Sequence, residues 1–549
     1  MQLIPGVRQL DQAQIDYAHG VLRAFGPAGS VIAALQYDQI AEAERALVAR
    51  YVADLTSRMK ASGAPEDPLV DVLLVAVQFD RSSTDAWNEG AFSAVLVPAL
   101  RGFAVCGMWW AVQRLCRLIG YISFHGGRTA EWVQGVLDAM ENALAPELAR
   151  WPKPPPRAHH RSPDGGLTIA IVSDYRLADL SGIHYLMRSL EAYHRRFEGQ
   201  DRIHLVIEQA AITEGSAPYR ARIQAAGVDI VTYDQSASDP QTPVGFGNLS
   251  RVCAALEPDI AVFYCSYCFA LLAAWCRLAP KQAYWSTSWD AAPSRQIELV
   301  LTLSEPTPAE PSPSTRVGKR VWTAVPPLFA ITRHPVEPVR RDGPLARLGR
   351  PLFATVGSVQ KFQNDTFGGM LVRLLDEFPD GAYLCPARPS HRPIREFFER
   401  FGIADRCHNI GYIEVDDVGP QIDVHLDSFP YGTGEAAIRM LARGCPTVGM
   451  AVKLSMHSFV YHQLMADGFG NSALHARAQA LFFPPGERSR LLIAHTVDEY
   501  LAFAIAVARD PEYRAACAEA HRALFGEVLA DGAYSTEAWR RALVSAVER

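Results

Sequence analysis

"DSFPYGTGEAAIRMLARGCPTVGM", Asp427 to Met450, is the stretch on which the fold turns. A strand-like run, Ile422 to Phe429, ends in an aromatic-proline pair. Gly432-Thr433-Gly434 follows, then a short helix, and "GCPTV" turns back into a strand. Glycines at a strand-to-helix junction let backbone N–H groups approach a ligand closely. The helix N-terminus adds unsatisfied donors and a partial positive charge. The arrangement therefore predicts an α/β unit that binds an anion.

Outward from this stretch the same alternation repeats. Downstream of Pro351, "PLFATVGS", a helix from about Asp365, "AYLCPA", "CHNIGYI" and "IDVHLDSF" precede "CPTVGM". Upstream, from Leu167, the β-rich runs are "LTIAIVS", "RIHLVIE", "VDIVTYD", "PDIAVFYC", "KQAYWST" and "IELVLTL". Continuous apolar runs of this length predict strands buried on both faces, hence parallel sheets covered by helices. The expected organisation is an all-α domain at 1–150, a proline-rich linker at 151–166, a Rossmann-like domain at 167–345 and a second one at 346–549 with closing helices. Two such domains enclose a cleft, and ligands sit at the carboxyl ends of their strands. The prolines of "SEPTPAEPSPSTRVGKRVWTAVPPLFAITRHPVEPVRRDG" (Ser304–Gly343) exclude continuous helix or central strand from the connection.

In the N-terminal part, "AEAERALVARYVADLTSRM" and "EWVQGVLDAMENALAPELARW" carry helical spacing, with Val133, Val136, Leu137, Met140 and Leu144 on one stripe. "WPKPPPRAHHRSPDGG" reads as a linker, and His159 and His160 within it are not preorganised as metal ligands.

Composition sets outer bounds. The 549 residues are 49% hydrophobic and 20% charged, with a formal net charge of -6, so large cores form and a nucleic-acid partner is not expected. The most apolar stretch, Phe103–Phe124, is interrupted by Arg114 and Arg117 and reads as a buried amphipathic helix, not a membrane span. With no signal pattern at the N-terminus, a cytoplasmic protein is expected. Cys265 and Cys268 form a C-x-x-C, which has redox and zinc readings. Without a second pair at finger spacing, buried thiols are the expected reading.

Several chemically capable residues fall at strand-to-helix junctions. Lys361 in "GSVQKFQNDTF" supplies a compact cation suited to a diphosphate. Arg388 in "CPARPSHRP", with Tyr412 and Tyr431, would rim a nucleotide base. His457 opens the helix after "CPTVGM". Each alone has a plainer explanation: a surface lysine, a simple glycine turn, a helix-capping or core histidine. Their convergence on one strand-end surface describes a diphosphate clamp. In the first unit, His184 in "VSDYRLADLSGIHYLMRSLEAYH" is the candidate general base, with Asp174 or Asp179 to orient it or act in its place.

Residues 165–510 resemble the cytoplasmic N-glycosyltransferases that act on adhesins, relatives of the catalytic region of O-GlcNAc transferases. The likeness rests on Arg277-Leu278-Ala279-Pro280 with Gln282, Pro293 and Ile297-Glu298, and on "LDSFPYG". It implies the GT-B arrangement: two Rossmann-like halves behind a helical domain, acting on a UDP-sugar without metal or other cofactor. By the same resemblance Lys361 contacts the diphosphate, His457 lines the donor pocket and His184 is nearest to the first-domain histidine. Tyr431, Gly432, Thr433, Gly434 and Glu435 join the donor site, and asparagine ranks ahead of serine or threonine on an acceptor protein or peptide. The chain departs from the family after "FPYG": Thr433-Gly434-Glu435-Ala436 replaces an Asn-Thr-Asn-Gly type run, and Arg439 stands where an acid meets the ribose. Ribose recognition moves to Glu435, or the donor differs. An inverting hexosyltransferase is the leading reading. Another GT-B sugar-nucleotide enzyme, such as an epimerase or phosphorylase, and a non-catalytic nucleotide- or partner-binding protein are the alternatives.

Overall fold

The structure is a computed structural model. It describes residues 130–151, 165–178, 181–234, 245–286, 291–302, 314–317, 320–324, 343–357, 359–385, 392–411, 415–429, 432–451 and 456–549, with a few helical positions between 100 and 116. The all-α domain expected at 1–150 therefore lies largely outside the described residues, as does the linker with His159 and His160. Helix α1 (Ala130–Leu148) is described, and its expected stripe, Val133, Val136, Leu137, Met140 and Leu144, is buried.

The first sheet contains β1 (Thr168–Ser173), β2 (Arg202–Glu208), β3 (Val228–Tyr233), β4 (Ile260–Phe263), β5 (Lys281–Trp285), β6 (Leu299–Thr302), β7 (Ser314–Val317) and β8 (Arg320–Ala324). Their order is β3-β2-β1-β4-β5-β6-β8-β7, parallel except for β7. The second sheet contains β9 (Leu352–Ala354), β10 (Ala382–Cys385), β11 (Cys407–Asn409), β12 (Val424–Leu426), β13 (Thr447–Met450) and β14 (Ile493–Ala494), in the order β11-β10-β9-β12-β13-β14. The second sheet thus runs 3-2-1-4-5-6 in its own strand numbering, and the first has the same order followed by β8 and β7, the doubly wound pattern. The strand order reverses direction between β1 and β4 in the first sheet and between β9 and β12 in the second. Every residue of β4, β6, β9, β12 and β13 is buried, which is why these strands read as unbroken apolar runs.

Two features differ from the sequence reading. The proline-rich connection supplies two strands. β8 pairs with β6 inside the sheet and β7 forms the antiparallel edge. "STRVGKRVWTA" (Ser314–Ala324), which spans both strands, contains no proline. The prolines of the connection fall on either side of this segment in the sequence.

The closing helices also divide between the sheets. Helices α6 (Val497–Arg509) and α7 (Pro511–His521) place Tyr500, Ala504, Val507, Tyr513 and Cys517 in the second core. The last helix, α8 (Ala533–Glu548), crosses back. Its Trp539, Ala542, Leu543, Ala546 and Val547, at helical spacing, join the first core. Trp539 meets Trp285 of β5 at 5.5 Å and Tyr193 at 5.2 Å between ring centroids. Arg540 pairs with the buried carboxylate of Asp201, Nε to Oδ2 at 2.7 Å. The segment expected to close the second domain therefore completes the first.

None of the described helices is long and apolar enough to cross a membrane. Cys265 and Cys268 are buried thiols, and burial pushes the Cys265 thiol well up. No group of three metal-ligating side chains occurs among the described residues.

Candidate active site

The second reversal point lies between β9 and β12, and the loops leaving the carboxyl ends of these two strands are stitched together. Thr355 Oγ1 donates to Leu426 O at 2.8 Å, and Val356 N donates to His425 Nε2 at 3.3 Å. Asn364 caps helix α3 (Asp365–Asp376) by accepting from Phe367 N, while its Nδ2 donates to Phe429 O at 2.9 Å. A Cβ added to Gly357 would lie 3.0 Å from Thr433 Cγ2, so the two loops pack without room for a side chain.

Within this frame Lys361 reaches the glycine turn. Its Nζ donates to Gly432 O at 2.8 Å. Burial holds the amine below its ordinary pKa, and the Asp427 carboxylate acts in the opposite direction. Asp427 is fully buried and accepts from both Thr433 N (2.5 Å) and Thr433 Oγ1 (2.8 Å). Tyr500 OH donates to Asp427 O at 2.8 Å, fixing the strand end itself.

Gly434 is the N-cap of helix α4 (Glu435–Ala442), with φ 73° and ψ -129°. The left-handed φ explains the glycine. No side-chain cap bond occurs at this position. An atom in the Cβ position of Gly434 would sit 4.0 Å from Lys361 Nζ. The amine and the positive end of α4 thus converge on one spot. Ile438 and Leu441 of α4 pack against Val460, Tyr461 and Leu464 of helix α5 (Met456–Ala466), which follows β13. The far end of α4 is held by a π-helical turn, Arg522–Val528, where Gly526 lets the backbone approach Ala442 O.

The structure therefore brings Lys361, Gly432, Thr433, Gly434 and Glu435 together. Thr433 donates its N–H and hydroxyl to Asp427 and so shapes the turn. Arg439 lies one helical turn beyond Glu435 on the same face of α4. His457 is the second residue of α5, at the next strand end. Arg388, Tyr412, Tyr431 and Asp179 lie outside the described residues.

On the first domain, His184 sits near the start of helix α2 (Ser181–Phe197), its ring edge-on to Tyr219 at 5.9 Å. Asp174, at the end of β1, accepts from Ser266 N at 3.0 Å and Ser266 Oγ at 2.5 Å, bridging the ends of β1 and β4. It braces the first reversal point. One turn after His184, Arg188 Nη1 meets Glu435 Oε1 of α4 at 2.6 Å. This ion pair spans the two domains and brings the His184 face of α2 to the glycine turn.

Sequence reasoning missed Asp427 and His425 as site-shaping groups and Arg188 as a cleft cation. The signal for the first two is the alternation Asp423-Val424-His425-Leu426-Asp427, which puts three polar groups on one face of a buried strand.

The residues that carried the family resemblance have a structural task. Arg277 bonds to Pro280 O (2.7 Å), Gln296 O (3.0 Å) and the Glu298 carboxylate (2.5 Å). Gln282 Nε2 donates to Ala274 O and Gln296 O. They clasp the amino ends of β5 and β6, opposite the crevice.

No family model matches the chain, and no curated protein matches it in sequence. Solved structures do. A lysine-to-methionine mutant of the O-GlcNAc transferase of Thermobaculum terrenum superposes with a TM-score of 0.52, at 15% identity, over 98% of this chain and 98% of that one. The fold is GT-B. The lipopolysaccharide outer core galactosyltransferase WaaB (TM-score 0.45, 12% identity) covers 69% of this chain and 99% of its own. A UDP-N-acetylglucosamine 2-epimerase (TM-score 0.36, 11% identity) covers 67% and 94%. The GT-B frame places the Lys361 crevice on the second Rossmann-like domain and His184 on the first.

Proposed function

We propose that this chain is a cytoplasmic, UDP-sugar-dependent glycosyltransferase, inverting and metal-independent, that moves a hexose onto a protein or peptide side chain, asparagine ahead of serine or threonine. The observation that carries the reading is the convergence of Lys361 and the N-terminus of α4 on one point at the reversal of the second sheet. The fold shared with an O-GlcNAc transferase along nearly the whole chain supports it, as does the resemblance of residues 165–510 to protein N-glycosyltransferases.

The chemistry follows from the placement of charge. The acceptor nucleophile attacks the anomeric carbon from the first-domain side. As the bond to the donor oxygen breaks, negative charge builds on the departing diphosphate. The Lys361 ammonium and the N–H groups of the first turn of α4 are fixed where that charge develops, so little reorganisation is needed. His184, on the opposite wall, is the candidate to take the acceptor proton. The acceptor bonds to the anomeric carbon on the face opposite the departing UDP, so the configuration of that carbon inverts.

The test is UDP release across a panel of UDP-sugars, with mass spectrometry of co-expressed acceptor proteins. The expected result is release with one or a few UDP-sugars and a matching hexose mass on the acceptor. Failure to bind UDP, together with no release from any UDP-sugar, would overturn the reading.

A further inference from the structure

We propose that Arg188 is the first domain's contact for the donor diphosphate, and that the Glu435 carboxylate holds that position in the unliganded protein. The inference rests on the reading of the β9–β12 crevice as the donor site, and it adds a specific cation from the other domain.

Arg188 and Glu435 are 247 positions apart in sequence, and their side chains meet at 2.6 Å. Their side chains are 22% and 21% exposed. Partial shielding sets this pair apart from the exposed surface pairs that contribute little. On the first domain, burial raises the pKa of Tyr185 and Tyr264, and the negative charge of Glu435 adds to the rise in both. The carboxylate thus faces the first domain, where Arg188 meets it.

Glu435 is also the first residue of α4, directly after Gly434, and Lys361 Nζ approaches the same turn. Two cations from two domains therefore converge on Gly432–Glu435. A carboxylate in the first turn of a helix is favourable by itself, because it complements the helix dipole. A diphosphate arriving at that turn brings like charge beside Glu435. The arrangement of lowest energy keeps the guanidinium with the more highly charged anion and displaces the carboxylate. A planar guanidinium fork matches phosphate oxygens as well as it matches a carboxylate. Released from Arg188, Glu435 is available for the ribose hydroxyls, which suits the cation, Arg439, one turn further along α4.

Binding of UDP and of uridine by calorimetry separates the possibilities. The probes share base and ribose and differ in the diphosphate. In the Arg188→Gln variant UDP affinity is expected to fall by about tenfold or more, as for loss of one charge-assisted contact, while uridine affinity stays within about twofold. Arg188→Lys, which keeps the charge and loses the fork, should fall between. Glu435→Gln breaks the same ion pair and should show no diphosphate-specific loss. An unchanged ratio of UDP to uridine affinity in Arg188→Gln would overturn the inference and leave the donor site standing. A wild-type protein that binds neither probe would overturn both. Folding of each variant is checked by its thermal transition, and Arg188→Lys serves if Arg188→Gln does not fold.

Discussion

Replacing Lys361 by methionine separates catalysis from stability. The substitution keeps the aliphatic stem and removes the ammonium. In the folded protein the ammonium gains a hydrogen bond to Gly432 O at 2.8 Å and attraction from Asp427, and it loses hydration. The depressed pKa shows that the loss of hydration outweighs the attraction to Asp427. Removing the charge therefore relieves one cost while deleting one bond of about 1 kcal/mol, so stability should change by no more than about 1 kcal/mol. The transition state is different. Loss of one preorganised donor at a developing oxyanion costs about 2.7–4 kcal/mol, or roughly 10²–10³ in kcat. Chemical denaturation measures the change in stability, and steady-state UDP release with the preferred UDP-sugar measures the loss of transition-state stabilisation. A variant that turns over within about threefold of wild type, a loss near 0.7 kcal/mol, would remove Lys361 from the charge-stabilising role.

Three further outcomes follow from named contacts. Asp427→Ala strands the N–H and hydroxyl of Thr433 in a buried site and should destabilise the fold by about 2–4 kcal/mol in denaturant titration while raising the KM for the donor. UDP binding should take up a proton on the alkaline side: the amine of Lys361 titrates below its ordinary 10.5, and a diphosphate raises it again. Affinity is then greatest below the free-protein pKa and falls as pH rises through it, which calorimetry in buffers of differing ionisation enthalpy measures. For the unliganded fold the sign reverses, because the unfolded chain holds that proton to higher pH, so this group favours folding more as pH rises toward 10.5. Trp539→Ala should cost about 3–5 kcal/mol by opening the first core at Trp285 and Tyr193, with loss of near-ultraviolet dichroism.

The sheets were legible because their strands are buried on both faces, and such strands read as short apolar runs between turn signals. That Lys361 and Gly432-Thr433-Gly434 meet was legible because both follow strand ends of one doubly wound sheet. Asp427 stood at the head of the same stretch and escaped notice, since a buried carboxylate bonded to its own loop looks like any strand-end acid. The β7–β8 hairpin was obscured by the prolines on either side of it. The amphipathic stripe of α8 announces a buried face but does not say which core receives it. Arg188 carries no local signal, because its partner lies in another domain. Asp179, Arg388, Tyr412 and Tyr431 lie outside the described residues.

On the proposed function, the reversal point between β9 and β12 receives the diphosphate of a sugar nucleotide. A crystal structure of the protein with UDP tests it most directly. Both phosphates are expected within hydrogen-bond reach of Lys361 Nζ and the first-turn N–H groups of α4. Phosphates bound away from Lys361 and Gly434, with that turn unoccupied, would contradict it.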